Sequence, residues 1–432
     1  MDWLKTCGAK VDGLSVKETL IGGRPQHGVF VDGELEPFSE VARIPLSCGI
    51  SVASALQHPD LKTIWEAHPH LTEGRSPMAV QLLYERNLGS ASKLAPWISM
   101  LPKELDLPMM WKRSERQWLR GTYTLDRVLA DIEGLVEDYE KVFVRALFQT
   151  HATMFPFKKY TVDDYMWAWG IIWSRDVEQR VSGVWEAFLI PFVDTMNHRA
   201  VSGSDLYVNF GKTDLVVRLN GSVPVGQELT RNYIPMAPNV ELFRMYGFID
   251  PTNPHIVSSL KFNLDKSEKY FQRRLAWANR YKLDLSADYP YNNLFITNRG
   301  VPPNIPALLR IANFNFESRD TWLLVKDAPD PFKRIENTVE ERFFTFLRDS
   351  LEKKLKDFPT TIEEDEALLD RKDLPHRQQL AIEIRLEEKI AIKGSIESLA
   401  TTIVRFDEPI NLNRQRTIHY PKRAASRTLS SQ

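Results

Sequence analysis

Residues 190–198 read Ile-Pro-Phe-Val-Asp-Thr-Met-Asn-His, a short apolar run that closes on an Asn-His pair. Tyr233 follows 35 positions after His198, and Tyr246-Gly247-Phe248 begins 13 positions after Tyr233. Neither segment is decisive alone, because Asn-His pairs arise by chance and Tyr-Gly-Phe is a common turn tripeptide. Their order and spacing along one chain carry the information.

The composition is ordinary for a globular protein with room for two or three domains. The chain has 432 residues, of which 43% are hydrophobic and 26% charged. The formal net charge is -1, so we expect no overall electrostatic attraction to nucleic acid or to a membrane. Cys7 and Cys48 are the only cysteines, too few for a four-cysteine zinc site or a disulfide framework. We therefore expect no metal centre and a reducing compartment.

The expected location is intracellular. No apolar run approaches the roughly 18 residues that a membrane span needs. The first residues, Met1-Asp2-Trp3-Leu4, are not typical of a signal or transit peptide. Cytoplasm and nucleus fit this pattern, and a plastid fits if a transit peptide was trimmed.

Strand patterns occupy two parts of the chain. Residues 28–31 (Gly-Val-Phe-Val) and 41–45 (Val-Ala-Arg-Ile-Pro) predict short strands near the start. Residues 206–210 and 215–219 flank Gly-Lys-Thr-Asp, which predicts a hairpin. A turn then leads into a further strand predicted to end at Tyr233.

Helical periodicity separates these two β regions. Apolar residues at helical spacing predict a helix over 125–150. Thr161 with Asp164 predicts the N-terminal cap of a helix that runs through three tryptophans to Ser174-Arg175.

The last third of the chain is predicted to be helical. An apolar stripe covers residues 339–355, and Thr361 with Glu364 forms a capping box. A long helix is predicted from Pro375 to about Ile403. Residues 411–432 are polar and basic without periodicity, which is typical of a disordered tail.

Taken together, these motifs resemble those of SET-domain methyltransferases of the Rubisco large-subunit lysine methyltransferase class. The likeness spans roughly residues 3–403, and four segments add to the two quoted first. They are Trp-Ala-Trp-Gly-Ile-Ile-Trp-Ser-Arg at 167–175, Gly-Phe-Ile-Asp-Pro at 247–251, Val-Pro-Pro-Asn-Ile-Pro at 301–306 and Phe-Pro-Thr-Thr-Ile-Glu-Glu-Asp at 358–365.

The resemblance implies an α+β fold. A SET domain of short β-sheets, split by a helical insert, would be followed by an all-α C-terminal domain that grips a protein substrate. The expected ranges are 1–75 and 185–250 for the SET domain, 76–184 for the insert, 251–410 for the C-terminal domain and 411–432 for the tail. No nucleic-acid or membrane partner is expected, and the expected state is a monomer.

The implied activity is methyl transfer from S-adenosyl-L-methionine to a protein lysine. A free lysine has a pKa of about 10.4, so it must lose a proton before it attacks, and burial and nearby positive charge both favour that loss. Tyr233 and Tyr246 are the implied catalytic residues. Tyr233 would orient the amine and Tyr246 would line the same channel.

The remaining implied site residues divide between cofactor and substrate. Arg175 would pair with the cofactor carboxylate, and Phe248 would pack against its adenine. Carbonyl oxygens near Asp194 and Arg231 would surround the methyl group. The implied cofactor-binding residues are His27, Gly28, Val29, Arg175, Asn197, His198 and Phe248, and the implied substrate-binding residues are Ser174, Val177, Asp194 and Arg231.

Two departures from the family pattern affect these expectations. The family's Gly-x-Gly entry reads His27-Gly28-Val29 here, which keeps one glycine of the pair. The Ser-Arg pair is normally followed by Ala-Phe, whose phenylalanine walls the target lysine, but Asp176-Val177 follows here.

Three functions remain open. A protein-lysine methyltransferase leads, because the related histidine-modifying branch often lacks a tyrosine equivalent to Tyr246. A protein-histidine methyltransferase on the same scaffold is the second. A catalytically weak SET-fold scaffold protein is the third, favoured by His27 and Val177.

Overall fold

The structure is a computed structural model that describes residues 1–21, 24–181, 184–199, 205–262, 264–285, 294–317, 328–335 and 337–403. These residues form two compact units. The first holds residues 1–120, 124–255 and 371–384, and the second holds 121–123, 256–370 and the described part of the chain from 385. The tail predicted at 411–432 lies outside the described residues.

Short antiparallel strands build the β framework of the first unit. They are β1 (Lys10–Val11), β2 (Leu14–Ile21), β3 (Arg24–Val31), β4 (Glu40–Pro45), β5 (Ile50–Ser51), β6 (Val177–Val181), β7 (Val184–Leu189), β8 (Leu206–Phe210) and β9 (Asp214–Leu219). The order is β1-β4-β9-β8 in one sheet, β5-β7-β6 in a second and β2-β3 in a third.

The predicted hairpin over 206–219 is confirmed. In β8 and β9, Leu206 lies opposite Leu219 and Phe210 opposite Leu215. Leu206, Leu215 and Leu219 are buried in one apolar core. The run before the Asn-His pair enters the same core through Ile190, Phe192, Val193 and Met196. Burial of this run fixes the place where Asn197 and His198 emerge.

Helices supply the rest of the first unit. They are α1 (Asp2–Thr6), α2 (Val52–Leu56), α3 (Lys62–Ala67), α4 (Ser76–Leu88), α5 (Ala95–Ile98), α6 (Arg113–Arg116), α7 (Tyr123–Tyr139), α8 (Phe148–Thr150), α9 (Val162–Arg175) and α10 (Asn239–Tyr246). The predicted cap of α9 is confirmed, because the Asp164 N–H donates to Thr161 Oγ1 at 3.2 Å and the Thr161 N–H to Asp164 Oδ2 at 3.0 Å. This cap fixes the start of the helix that carries Ser174 and Arg175 to the site.

One local prediction was wrong, and another holds with a change of helix type. Residues 125–150 are helical as predicted, but Glu140–Leu147, between α7 and α8, is a π-helical stretch. Phe143 in this stretch packs on Tyr139, Phe155 and Tyr160, so aromatic packing accompanies the looser backbone. The strand predicted to end at Tyr233 is an irregular segment held by isolated bridges.

The second unit is helical, with one two-stranded ribbon. Its elements are β10 (Val257–Ser259), β11 (Phe295–Thr297), α11 (Phe271–Arg280), α12 (Asn304–Asn313), α13 (Asn337–Lys356), α14 (Ile362–Leu369) and α15 (His376–Ile403), whose first residues belong to the first unit. The predicted stripe on α13 buries Val339, Phe343, Leu347 and Leu351, while Phe346 stays exposed. The capping box at Thr361 and Glu364 is confirmed.

The α+β architecture therefore agrees with the sequence expectation. β6 begins at Val177, inside the range 76–184 predicted for the helical insert. Residues 371–384, predicted to belong to the C-terminal domain, group with the first unit. The domain boundaries themselves remain a prediction.

Candidate active site

The two segments that opened the sequence analysis meet in the first unit. The Arg231 N–H donates to the Asn197 carbonyl at 2.9 Å, and the Arg199 N–H donates to the Arg231 carbonyl at 3.1 Å. These bonds form an isolated parallel bridge between His198 and Arg231. Backbone pairing therefore joins positions that are more than 30 residues apart in sequence.

Four aromatic side chains cluster beside this bridge. The ring of Tyr233 lies 4.7 Å from that of Tyr246 and 5.1 Å from that of His198, measured between centroids. Phe248 lies 5.4 Å from His198 and 6.1 Å from Tyr246. All four rings are half-buried, so they form an apolar wall that is still reachable from solvent.

Gly247 allows this cluster to form. It ends α10 in the left-handed conformation, with φ of 78°. A Cβ there would lie 2.6 Å from the Asp106 carbonyl oxygen, too close for any side chain. The glycine thus lets the chain reverse and bring Phe248 back beside Tyr246.

Both tyrosines are kept protonated. The Tyr233 hydroxyl donates to the Met196 carbonyl at 2.8 Å. Burial raises the pKa of Tyr233 above its ordinary value, and burial also raises the pKa of Tyr246. Each is therefore a hydrogen-bonding hydroxyl near neutral pH and is poorly suited to act as a strong base.

His198 is held neutral. Its Nδ1 accepts the Tyr233 N–H at 3.1 Å, which leaves the proton on Nε2. Burial lowers the pKa of His198, and Arg231 contributes in the same direction. Its Nε2 is buried without a partner among the described residues.

Asn197 closes a small polar cluster around Gly28. Its Nδ2 donates to the His27 carbonyl at 3.1 Å and to Glu228 Oε1 at 2.6 Å. A Cβ on Gly28 would collide with the Glu228 carboxylate, so a larger residue there would displace the end of the Glu228 side chain from Asn197. Val29 is fully buried and its carbonyl accepts the Leu229 N–H, whereas the His27 side chain is exposed.

Arg175 and Asp194 form a second polar group. Arg175 Nη1 donates to the Asp194 carbonyl at 2.9 Å and lies 3.7 Å from the Asp194 carboxylate. The Trp97 indole N–H donates to Asp194 Oδ2 at 2.9 Å. Burial raises the pKa of Asp194 despite these partners. Ser174 Oγ donates to the Gly170 carbonyl at 2.6 Å, so its hydroxyl is engaged within α9.

Asp176 and Val177, the residues that depart from the family pattern, are both buried. Arg75 Nη1 lies 2.7 Å from Asp176 Oδ2, but its N–H bonds do not point at that oxygen. Arg231 Nη2 donates to the Asp176 carbonyl at 3.3 Å. Burial raises the pKa of Asp176 to about 7, a larger effect than the opposing charge of Arg75.

Comparison with known proteins bears on the origin of this arrangement. A family model described as Rubisco LSMT substrate-binding matches residues 265–391. The structure superposes on the SET domain of LSMT bound to lysine and AdoHcy with a TM-score of 0.80 at 21% identity, covering 94% of this chain and 91% of that chain.

The sequence is similar to those of several protein methyltransferases, of which two are described here. The chain is 26% identical to the chloroplastic ribulose-1,5-bisphosphate carboxylase/oxygenase large subunit N-methyltransferase of Nicotiana tabacum, over 70% of this chain and 62% of the relative. It is also 26% identical to the actin-histidine N-methyltransferase of Plecturocebus moloch, over 76% of this chain and 56% of the relative. The chain is therefore similar in fold and in sequence to LSMT-like SET-domain methyltransferases, and it spans less than two thirds of the length of these two relatives.

Several residues of this site were not predicted from the sequence. They are Glu228, Arg75, Trp97 and the side chain of Arg231. Glu228 had a usable signal, because it follows the Gly226 turn and precedes Tyr233 by five positions. Arg75 and Trp97 lie about 100 residues from their partners, and no local pattern reveals such pairs.

Unpartnered polar atoms lie close together in the chain segments that form this site. Among the described residues, Asp176, His198, Arg231 and Asn232 each have a buried side-chain polar atom that lacks a hydrogen-bond partner. Buried polar groups are normally satisfied, so this concentration marks a place where a bound molecule would supply partners.

The described part of the chain holds neither a metal-binding cluster nor a membrane-spanning helix. No group of three or more His, Cys, Asp and Glu side chains is arranged to hold a metal ion there. No helix in the described ranges is long and apolar enough to cross a membrane.

Proposed function

We propose that this protein is an S-adenosyl-L-methionine-dependent protein-lysine N-methyltransferase that acts on a folded non-histone protein. The observation that carries the proposal is the pair of half-buried tyrosines, Tyr233 and Tyr246, with ring centroids 4.7 Å apart beside His198 and Phe248. Burial beside this aromatic wall would disfavour a charged amine relative to a neutral one.

The residues around the wall fit the cofactor. A guanidinium has five N–H donors, and the Arg175 bond to the Asp194 carbonyl uses one of them, which leaves capacity for a carboxylate. The buried, unpartnered His198 Nε2 offers a donor, and the half-buried Phe248 ring offers a surface for adenine. When bound, S-adenosylmethionine supplies the methyl group as a sulfonium: the S–CH₃ bond breaks as the N–CH₃ bond forms, and sulfur keeps the electron pair.

The protein's part in the reaction is to present a neutral amine in line. The target ammonium releases its proton to solvent as it enters the apolar wall. The Tyr233 hydroxyl proton is engaged by Met196, so its oxygen accepts an amine N–H and turns the amine lone pair toward the methyl group. The Asp194 and Arg231 carbonyls are proposed to receive weak C–H···O contacts. Ser174 and Val177 are proposed to border the substrate channel.

Lysine is preferred over histidine because of Tyr246. Its ring narrows the channel beside Tyr233, which favours a slender alkyl amine over a planar imidazole. The histidine alternative has one supporting observation, since Val177 replaces the phenylalanine that the family uses to wall lysine and leaves a wider channel. The alternative of a catalytically weak scaffold protein is supported by His27, an exposed residue at a position where the family has glycine.

The helical domain proposed at 251–410 supplies the grip on the protein substrate. Its support is the substrate-binding family model at 265–391. Mixed surface charge, with no excess of either sign, suits a protein surface better than nucleic acid. A monomeric enzyme is part of the proposal.

Two measurements test the function. Titration calorimetry should detect S-adenosylmethionine binding, and binding should weaken about tenfold or more in Arg175→Met. Arg218→Met, which removes a partly exposed arginine, is the control. Labelled methyl transfer should then be measured on Rubisco and on actin, with mass spectrometry of the product. Label on lysine supports the proposal, and label on histidine supports the alternative. Absence of cofactor binding at millimolar concentration would overturn both enzymatic proposals.

A further inference from the structure

The side chain of Arg231 is a buried cation inside the proposed site. Only 7% of the residue is exposed. Its guanidinium carbon lies 4.6 Å from the centre of the Tyr233 ring, and its Nη2 donates to the Asp176 carbonyl. Its Nε is buried without a partner among the described residues. The roles assigned above to residue 231 involve only its backbone, so this side chain is unexplained.

The charge of Arg231 acts on five titratable side chains at the site. It lowers the pKa of His198 in addition to burial, and it opposes the rise that burial causes in the pKa of Tyr233 and Tyr246. It also opposes the burial-driven rise at Asp176 and Asp194. The effect of one fixed positive charge thus covers the whole aromatic wall.

Charged groups of both signs surround Arg231. The charged and titratable groups around it, taken from each packed element, are Arg75, Arg175, Asp176, Glu178, Asp194, His198, Glu228, Tyr233, Tyr246 and Asp250. Arg175 lies against Asp194, and Arg75 lies against Asp176 and Glu178. Because burial raises the pKa of Asp176 to about 7, this carboxyl is only partly ionised near neutral pH. Of these arginines, Arg231 is the one whose guanidinium packs on the Tyr233 ring, so its charge lies directly against the tyrosine.

We propose that Arg231 is a positioning residue whose fixed charge keeps the incoming target amine deprotonated and whose planar guanidinium holds the Tyr233 ring in place. The inference rests on the proposed methyl transfer. A cation near the amine disfavours its protonated form, so the apparent pKa of the bound amine falls. At a separation of about 6 Å and an effective dielectric constant of about 20, one charge shifts a pKa by one to two units.

The first test is the pH dependence of kcat with whichever of Rubisco and actin the wild-type enzyme methylates. The rising limb of this profile reports the ionisation of the bound complex. Arg231→Gln and Arg231→Met both remove the charge, and glutamine keeps a donor for the Asp176 carbonyl. In either variant that folds, the rising limb of the profile should shift to higher pH by about one unit, and activity should recover at high pH. Arg231→Lys should leave the limb near its wild-type position. An unmoved limb in the neutral variants would overturn the inference.

The second test needs no substrate or cofactor. NMR titration of the imidazole signals, with His198 assigned by its absence in His198→Asn, measures the pKa of His198 directly. Loss of the positive charge should raise this pKa in the neutral variants and not in Arg231→Lys. The matched control is Arg218→Met, which removes a partly exposed arginine on β9. If the pKa of His198 is the same in the wild type and in all variants, the electrostatic role is overturned. If the pKa shifts as expected but neither Rubisco nor actin is methylated, the proposed function fails and the role of Arg231 stands.

Discussion

Buried charges have opposite surroundings in the two units. In the second unit, Lys389 is fully buried and its Nζ donates to Thr360, Thr361 and Asp365 at 2.7–3.0 Å. Asp365 also accepts Arg385 Nε at 2.9 Å. In the first unit, Asp176 and Arg231 are also buried, yet each keeps a polar atom that forms no hydrogen bond among the described residues, and Asp176 Oδ2 has only its ion-pair contact with Arg75.

The difference separates two uses of buried charge. A buried ion loses several kcal/mol of hydration, and only complete, well-aligned hydrogen bonding offsets that loss. The Asp365 cluster meets this condition and therefore acts as a structural tie between α14 and α15. The polar groups around Tyr233 lack complete hydrogen bonding. A bound molecule would have to supply the missing bonds, or the cost of burying these groups stays uncompensated.

The largest effect is expected from breaking the satisfied cluster. Asp365→Asn removes the carboxylate that both Arg385 and Lys389 bind, which leaves two buried cations underpaired. The expected loss is about 3–5 kcal/mol, or roughly 10 °C in the midpoint of the affected transition. Scanning calorimetry measures it.

Glu366→Gln is the matched control, since it changes an exposed acid on the same helix and should leave the midpoint unchanged. Burial alone would raise the pKa of Asp365, but its bonds to Arg385 and Lys389 hold it below the ordinary value. A depressed acid stabilises above its unfolded pKa, so this contribution should vanish as the pH falls below about 4. Equal midpoints for Asp365→Asn and the wild type would remove the structural role.

The next effect concerns chemistry. Tyr233→Phe should lower kcat about 100-fold and leave cofactor affinity nearly unchanged, because the hydroxyl acts on the aligned amine in the transition state. Stopped assays at saturating substrate and calorimetry with the cofactor separate the two quantities. The control is Tyr207→Phe, which removes an exposed hydroxyl on β8. An unchanged kcat in Tyr233→Phe would exclude the hydroxyl from the mechanism.

Local signals in the sequence predicted much of this molecule. The caps at Thr161 and Thr361 were readable because a cap is made within four residues. The β8–β9 hairpin was readable because turn residues sit between two alternating runs. The placement of Asn197 and Tyr233 depended on spacing typical of a family, since no local rule brings two segments 35 residues apart into a parallel bridge.

The parts that could not be predicted depend on tertiary contacts. The segment before Tyr233 has residues typical of a strand, but it pairs with the rest of the described chain only through isolated bridges and not through a continuous ladder. The stretch Glu140–Leu147 keeps a helical stripe in sequence, and its π geometry arises with aromatic neighbours from elsewhere in the chain. Asp176 was noted only as a departure, because its pairing with Arg75 spans 101 positions.

The buried Asp176 carboxyl should lower the stability of the fold when it is ionised. Its folded pKa, raised by burial to about 7, exceeds its ordinary value of 3.8. A raised acid stabilises the fold below its unfolded pKa, and this contribution is lost as the pH rises toward 7. Asp176→Asn stays neutral at every pH, so at pH 8 it should exceed the wild type in stability by at least about 1.4 kcal/mol, the value of one pKa unit.

Urea titration of both proteins at pH 8 and pH 4.5 measures this, and the difference should shrink at the lower pH. Arg75 keeps its contact with Glu178 in the variant. Glu178→Gln serves as control, because the Glu178 side chain is about half exposed and its removal relieves no buried charge. A variant less stable than the wild type at pH 8 would mean that Asp176 is a satisfied ion like Asp365.

The smallest effect is expected on the exposed face of α13, where charges are hydrated and neither buried nor strained. A groove of about 580 Å³ lies along this face, lined by Asn313, Glu341, Arg342, Thr345, Phe346, Asp349, Ser350 and Lys353. If this face grips the protein substrate, Arg342→Glu with Lys353→Glu should raise KM roughly threefold to tenfold, because rim charges act mainly on association. Lys333→Glu, exposed outside the groove, is the control. Cofactor affinity should be unchanged, and an unchanged KM would place the docking surface elsewhere.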